Sequence, residues 1–273
     1  MEAAEYLRDV RRQLDLDRAT LARLGGVSPS TIGRIEKLEL DPTWGTFSGI
    51  LEAAGFQISG TRAAPTGNPS AAVAARFVLD AVFLEEGPRC PGLLELEVPE
   101  TMAEPDRVRL WWERWQRAGW LSATPTLLRL SDLVRSAVII SGPGRRAMPG
   151  VTVGDGRRWR ELALRIDEAG FDYAVSENAA ALESPGAGYS PIPRIYVLDP
   201  EMVASVLHLE HSAPGQGVPL IAADAPELDD PVSGHALRLT SPGQAIIDGL
   251  IDTHASYWKV FRLLKFHDLG TFP

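Results

Sequence analysis

Four groups of residues in this 273-residue chain have a type and spacing that could do chemistry. His208 and His211 flank Glu210, and on a predicted helix that spacing places two imidazoles on one face. Structural zinc wants four ligands and catalytic zinc three plus water. His235 and His254 are the nearest further histidines, and nothing local points to them, so a surface or capping role is preferred for the pair. Ser141-Gly-Pro-Gly-Arg-Arg146 has the glycines of a phosphate cradle. Nucleotidyl transfer also needs paired carboxylates on a strand to hold metal ions. No Asp-x-Asp strand follows, and Asp229-Asp230 sit in a loop between Pro226 and Pro231. Gly142 and Gly144 are therefore expected to make a turn, and neither a Walker motif nor Gly-x-Gly-x-x-Gly occurs. Cys90 lies beside Arg89, which can lower a thiol pKa, but without a neighbouring histidine it is expected to be inert. As the single cysteine it excludes an internal disulfide framework and a cysteine-based zinc module. Finally, Trp111, Trp112, Trp115 and Trp120 stand among Arg107, Arg109, Arg114 and Arg117. They could stack on bases, but burial is preferred because aromatic side chains bring large apolar areas. These residues predict no enzyme, no metal and no cofactor.

The elements that carry these groups form three stretches. Over residues 5–56 apolar residues recur at helical spacing: Leu7, Val10 and Leu14, then Leu21 and Ala22, Ile32 and Ile35, and Phe47, Ile50, Leu51 and Ala54. Turn residues Gly25-Gly26, Asp41-Pro42 and Gly55 separate them, and Ser28-Pro29 is a good helix start. Residues 1–62 read as an all-α domain. The small, polar, proline-rich 63–70 segment reads as a linker. Residues 71–135 read as mostly helical, with helices over 71–84 and 106–120 and an extended segment over Leu93–Val98. From residue 136 the pattern becomes α/β. Strands are predicted at Ser136–Ile140, Arg194–Leu198, Val218–Ala222 and Leu237–Leu239, and helices at Trp159–Ala169, Met202–Leu209, after Ser241-Pro242, and over Val260–Phe266. The predicted class is α+β, with an all-α amino-terminal domain followed by a mixed α/β domain over 136–273.

Composition narrows the partners. The chain is 45% hydrophobic and 23% charged, which is ordinary for a globular protein. A net charge of -9 argues against a protein that coats nucleic acid or an anionic membrane through its overall field. Residues 1–63 hold eight Lys and Arg against nine Asp and Glu, whereas residues 64–273 hold nineteen against twenty-seven. Any DNA contact must therefore come from a local cationic face of the amino-terminal part. No run of about 18 apolar residues appears, and the acidic start Met1-Glu-Ala-Ala-Glu5 is no signal peptide, so a soluble, cytoplasmic protein is expected.

The segment Leu21-Ala-Arg-Leu-Gly-Gly-Val-Ser-Pro-Ser-Thr-Ile-Gly-Arg-Ile-Glu36, ending in Asp41-Pro42, resembles the Cro/repressor (Xre) helix-turn-helix family over residues 5–58. Physically, Leu21 and Ala22 tuck under the next helix, Gly26 permits the turn, and Val27, Ile32 and Ile35 face the core. The other side of the second helix is then free to enter a major groove. The resemblance implies that Ser28, Pro29, Ser30, Thr31, Gly33 and Arg34 face DNA, with Lys37 beside them. Arg34 is the best base reader, because a guanidinium bonds both major-groove acceptors of guanine. Arg18 stands where the family usually has a phosphate-binding glutamine. Arg11 and Glu36 match the family's buried ion pair between the first and third helices. Gly25 replaces a usual apolar residue, and Pro29 offers no side-chain hydrogen bond.

Three carboxy-terminal runs resemble AbiEi-type antitoxins: Phe171-Asp-Tyr-Ala-Val-Ser-Glu-Asn-Ala-Ala-Ala-Leu182 as a helix, Pro193-Arg-Ile-Tyr-Val-Leu198 as a strand, and Leu239-Thr-Ser-Pro-Gly-Gln-Ala-Ile-Ile-Asp248 before a closing helix. Such proteins repress their own operon and are usually encoded beside a nucleotidyltransferase toxin; their usual amino-terminal module is a winged helix. The expected function is a sequence-specific regulator, an autorepressor or antitoxin, binding double-stranded operator DNA as a homodimer. A cognate toxin or small-molecule effector is the expected partner of the α/β part, and no membrane is expected. The alternative is a ligand-sensing regulator, or a nucleotidyltransferase-like enzyme localised to DNA by its helix-turn-helix.

Overall fold

The computed structural model describes residues 2–84, 105–121, 129–176, 192–223, 232–234 and 237–252, together with Leu228 and Leu264. Cys90, the Leu93–Val98 segment, Asp229, Asp230, His235, His254 and, apart from Leu264, the closing Val260–Phe266 helix lie outside the described residues. The chain divides into two compact units. One comprises residues 1–100, 104–146 and 261–273, and the other 101–103 and 147–260. The class is α+β, as expected.

The first unit begins with α1 (Ala3–Leu14), α2 (Arg18–Leu24), α3 (Pro29–Glu36) and α4 (Trp44–Ala53). Each start after the first is capped by a side chain: Asp17 accepts from the Thr20 N–H, Ser28 from Thr31 and Thr43 from Thr46. The periodic residues Leu7, Val10, Leu14, Leu21, Ala22, Ile32, Ile35, Phe47, Ile50 and Leu51 are all buried, as their spacing predicts.

The 63–70 stretch is not a linker. Phe56–Ser59 (β1) pairs antiparallel with Arg62–Pro65 (β2), and Pro69 already opens α5 (Pro69–Leu84). Gly60 turns the hairpin with a φ of 59°, at the first central position of a two-residue loop. A boundary at residue 62 would cut this hairpin, which packs between α1 and the helix α7 (Leu130–Arg146).

Helix α7 corrects two further expectations, because Ser136–Ile140 is not a strand and Ser141–Gly144 is not a turn. Leu130, Leu133, Val134, Ala137, Ile140 and Ser141 recur at helical spacing and are all buried. Ser141 keeps its hydroxyl inside the helix by donating to the Ala137 carbonyl at 2.7 Å. Burial on almost every side outweighs the helix-breaking tendency of glycine and proline. Gly144 has a packing reason: a Cβ there would stand 2.2 Å from the Gly67 carbonyl oxygen, so only glycine lets the chain after β2 lie on this helix. Helix α6 (Pro105–Ala118) packs against α5 and α2. It buries Trp111, Trp112 and Trp115, with Trp120 just beyond, and Trp112 Nε1 donates to the Ala74 carbonyl at 3.0 Å. The tryptophans are core, and the base-stacking reading falls.

Among the described residues, the second unit holds a six-stranded mixed sheet of β3 (Gly150–Val153), β4 (Tyr173–Ser176), β5 (Arg194–Val197), β6 (Val218–Ala222), β7 (Val232–Gly234) and β8 (Leu237–Leu239), ordered β3-β6-β5-β4-β8-β7. Helix α8 (Trp159–Glu168) and α9 (Pro200–Val206) pack on one face, where Tyr173, Val175, Ile195, Val197, Val218 and Leu220 join Leu162, Ile166 and Val203. Period-two alternation puts Ser176, Arg194 and Tyr196 on the opposite face. There α10 (Pro242–Asp252), opened by Ser241 as its sequence predicts, brings Asp248 against them.

Two expectations change in this unit. Tyr173–Ser176 is a strand, not the start of a helix; residues 177–182 lie outside the described set. The helix expected over Met202–Leu209 ends at Val206, and His208 sits in the left-handed region at φ 48°. His211 instead forms an isolated bridge with Val153, so the two histidines share no helical face. Among the described residues, no group of three His, Cys, Asp or Glu could hold a metal, and no helix is long and apolar enough to cross a membrane.

Candidate nucleic-acid interface

The turn between α2 and α3 is built from local requirements. Gly26 adopts a φ of 67°, and the Val27 N–H returns to the Ala22 carbonyl at 2.9 Å. Gly25 also has a reason to lack a side chain. A Cβ there would meet Ile50 Cγ1 at 3.1 Å, so Ile50 of α4 supplies the apolar volume that the turn residue omits.

Helix α3 then turns one side inward and the other to solvent. Ile32, Ile35 and Glu36 are buried, whereas Ser28, Pro29, Ser30, Arg34 and Lys37 are exposed and Thr31 and Gly33 half-buried. The Ser28 hydroxyl lies 2.8 Å from both the Ser30 and Thr31 hydroxyls, gathering three hydroxyls at the start of the helix. A Cβ at Gly33 would meet nothing within 4 Å, so its absence only flattens the outward face. Among the described residues, the Arg34 guanidinium and the Lys37 ammonium make no hydrogen bond or ion pair within the protein.

Arg18 is placed differently from the helix α3 residues. It joins the expected Arg11–Glu36 pair, so one carboxylate ties α1, α2 and α3 together. Arg11 Nε donates to Glu36 Oε1 at 2.7 Å and Arg18 Nε to Oε2 at 2.5 Å. Arg8, which motif spacing did not single out, donates to the Glu36 backbone carbonyl. Its only signal was its position one turn before Arg11 on the same helix. The Glu36 side chain is 1% exposed and that of Arg18 52%, and the two terminal nitrogens of Arg18 keep their hydrogen-bonding capacity for an outside acceptor.

The electrostatics of this cluster give a pH dependence. Burial pushes the Glu36 carboxyl up, but hydrogen bonds from Arg11 and Arg18 and the charges of both outweigh it, so its pKa lies below the ordinary 4.5. A depressed carboxylate contributes its stability in full above the unfolded value and loses it as pH falls through the folded one. Thermal unfolding of the full chain is therefore expected at progressively lower temperature as pH drops below about 4.5. Glu36→Gln should flatten that acid limb and cost about 1–3 kcal/mol at neutral pH, since hydrogen bonds to charged groups are lost. An unchanged acid limb in the variant would overturn this account.

Comparison with curated proteins and comparison with solved structures return no match. The model of the helix-turn-helix family matches residues 7–57, which span α1 to α4 and the first residues of β1. That segment is similar to Xre/Cro-type helix-turn-helix modules, which supports DNA binding and a part in transcription regulation.

Proposed function

We propose that this chain is a sequence-specific transcription regulator, an autorepressor or antitoxin, that binds its operator as a homodimer and is not an enzyme. The observation that carries the reading is the outward side of α3. Arg34 and Lys37 stand there without a partner among the described residues, next to three hydroxyls and a flat glycine. Such a surface suits a major groove, where Arg34 can read guanine and hydroxyls can hold base edges or phosphates. Arg18 supplies a phosphate donor at the rim, held in place by Glu36. Specific sites need affinities near 10⁻⁸–10⁻¹¹ M, and one small module makes too few contacts to reach them. Two copies on a pseudo-palindrome meet that need. The second unit then serves dimer support or contact with a cognate toxin or small effector.

A genome-wide footprint of the full chain tests the reading. It is expected to show a pseudo-palindromic site beside its own gene, with half-site centres about 34–36 Å apart. Uniform recovery of the genome, with no enriched site, would overturn it.

A further inference from the structure

We propose that the outer edge of β1 is a dimerisation edge, to which β1 of a second copy adds antiparallel about a two-fold axis at Gln57, giving a continuous β2-β1-β1-β2 sheet. The choice of a second copy as occupant draws on the regulator reading above; the open edge itself does not. The hairpin has two edges, and among the described residues they differ: β1 touches α4, but beyond β2 no backbone partner is found for Phe56 or Ile58. On β2, the Ala63 carbonyl accepts from Gln13 Nε2 at 2.9 Å, and the strand packs against α1 and α7. On β1, the register fixes which backbone groups point where. Gln57 pairs with Ala64 and Ser59 with Arg62, and the Gly55 carbonyl accepts from the Thr66 N–H at 3.0 Å. In an antiparallel ladder alternate residues bond to the same neighbour, so 55, 57 and 59 face β2 while the N–H and C=O of Phe56 and Ile58 face outward.

Those outward groups are self-complementary. With Gln57 opposite Gln57 of the second copy, Ile58 lies opposite Phe56, and each such pair exchanges two backbone hydrogen bonds. The two pairs satisfy every outward group of the strand. The side chains agree with this register. Phe56 is buried and Ile58, on the same side of the hairpin, is 39% exposed, so the added strand lays each Ile58 beside the other copy's Phe56. Soluble proteins commonly guard such an edge with charge, proline or a bulge. Residues 55–61, Gly-Phe-Gln-Ile-Ser-Gly-Thr, carry no charge and no proline, so two copies meet here without repulsion despite the net charge of -9.

The test uses the full chain. In Ile58→Pro the ring replaces an outward N–H and leaves the hairpin's own ladder intact, as proline is tolerated on an edge. The wild type is expected to sediment as a dimer at micromolar concentration, and this variant as a monomer with an unchanged circular dichroism spectrum. The second measurement works even if that variant misfolds. A directly opposed, non-hydrogen-bonded pair has Cα atoms about 4.5 Å apart, within disulfide reach. In a Cys90→Ser background, Gln57→Cys is expected to form a disulfide-linked dimer under mild oxidation, whereas Ser59→Cys stays reduced. A monomeric wild type, or a dimer in which Gln57→Cys fails to cross-link, would overturn the proposal. A dimer joined by this edge that binds no DNA would instead sink the regulator reading alone. An operator-binding dimer that survives Ile58→Pro and does not cross-link through Gln57→Cys would do the reverse.

Discussion

Arg34→Ala is expected to weaken operator binding by about 1–3 kcal/mol, roughly 5- to 150-fold, and to relax preference at a single base pair. The size follows from what the side chain can do. Arg34 stands on the solvent side of α3, and among the described residues no partner competes for its five donors. Its removal leaves α3 intact, because the core contacts come from Ile32 and Ile35 on the other side. Arg34→Lys separates charge from geometry: it keeps the cation, loses the planar fork, and should retain affinity for non-specific DNA while losing the base preference. Arg18→Ala provides the contrast. Loss of a phosphate contact should weaken all sequences alike and reduce the slope of log affinity against log salt by about 0.9. Titration of labelled duplexes, carrying each base in turn at the contacted position, at two salt concentrations measures all three effects. Equal affinity of wild type and Arg34→Ala for the operator would remove Arg34 from the interface.

The amino-terminal module was legible because its determinants are local. Ser28-Pro29 announces the start of α3, and the cap is formed between residues three apart. The Arg11–Glu36 pair could be anticipated from motif spacing, whereas the recruitment of Arg8 and Arg18 required the helices to be folded together. Elements hidden from sequence reading share a different property. Helix α7 is buried on nearly all sides and carries Ser-Gly-Pro-Gly inside its last turns, before Arg145-Arg146, so it lacks both a broad polar face and good local propensity. Strand β4 is buried at all four positions, which erases the alternation that marks a half-buried strand. The β1–β2 hairpin is held by backbone pairing, and β2, Arg-Ala-Ala-Pro, has no large apolar residue to give an alternating pattern. For α7 and β4 tertiary burial decides the conformation, and for the hairpin it is the pairing of two strands, not local preference.

The same distinction predicts where the second unit is most vulnerable, at a contact spanning 72 residues that no local pattern reveals. Asp248 is 3% exposed and accepts from Ser176 Oγ at 2.6 Å, from Tyr196 OH at 3.0 Å and from Gln244 Nε2 at 2.9 Å. The Arg194 guanidinium stands 4.0 Å away. Ser176, Tyr196 and Gln244 are themselves buried, so removing the carboxylate leaves three polar groups without this acceptor and out of reach of bulk water. A buried polar group that loses its acceptor costs about 1–3 kcal/mol at most, and breaking a buried charge pair about 3–5, with the terms overlapping within one network. Asp248→Ala is therefore expected to destabilise the second unit by roughly 3–5 kcal/mol, a large part of a domain's typical 5–15. Asp248→Asn should fall between, because one oxygen still accepts while the amide opposes a donor where the second oxygen accepted. The readout is the denaturation midpoint together with amide hydrogen exchange in β4 and β5, which the network joins to α10. Faster exchange confined to residues 173–176 and 194–197 and their sheet neighbours, with α1 to α4 unchanged, is the expected pattern. A midpoint within about 0.5 kcal/mol of wild type, the range of ordinary surface substitutions, would show that Asp248 is dispensable to this packing.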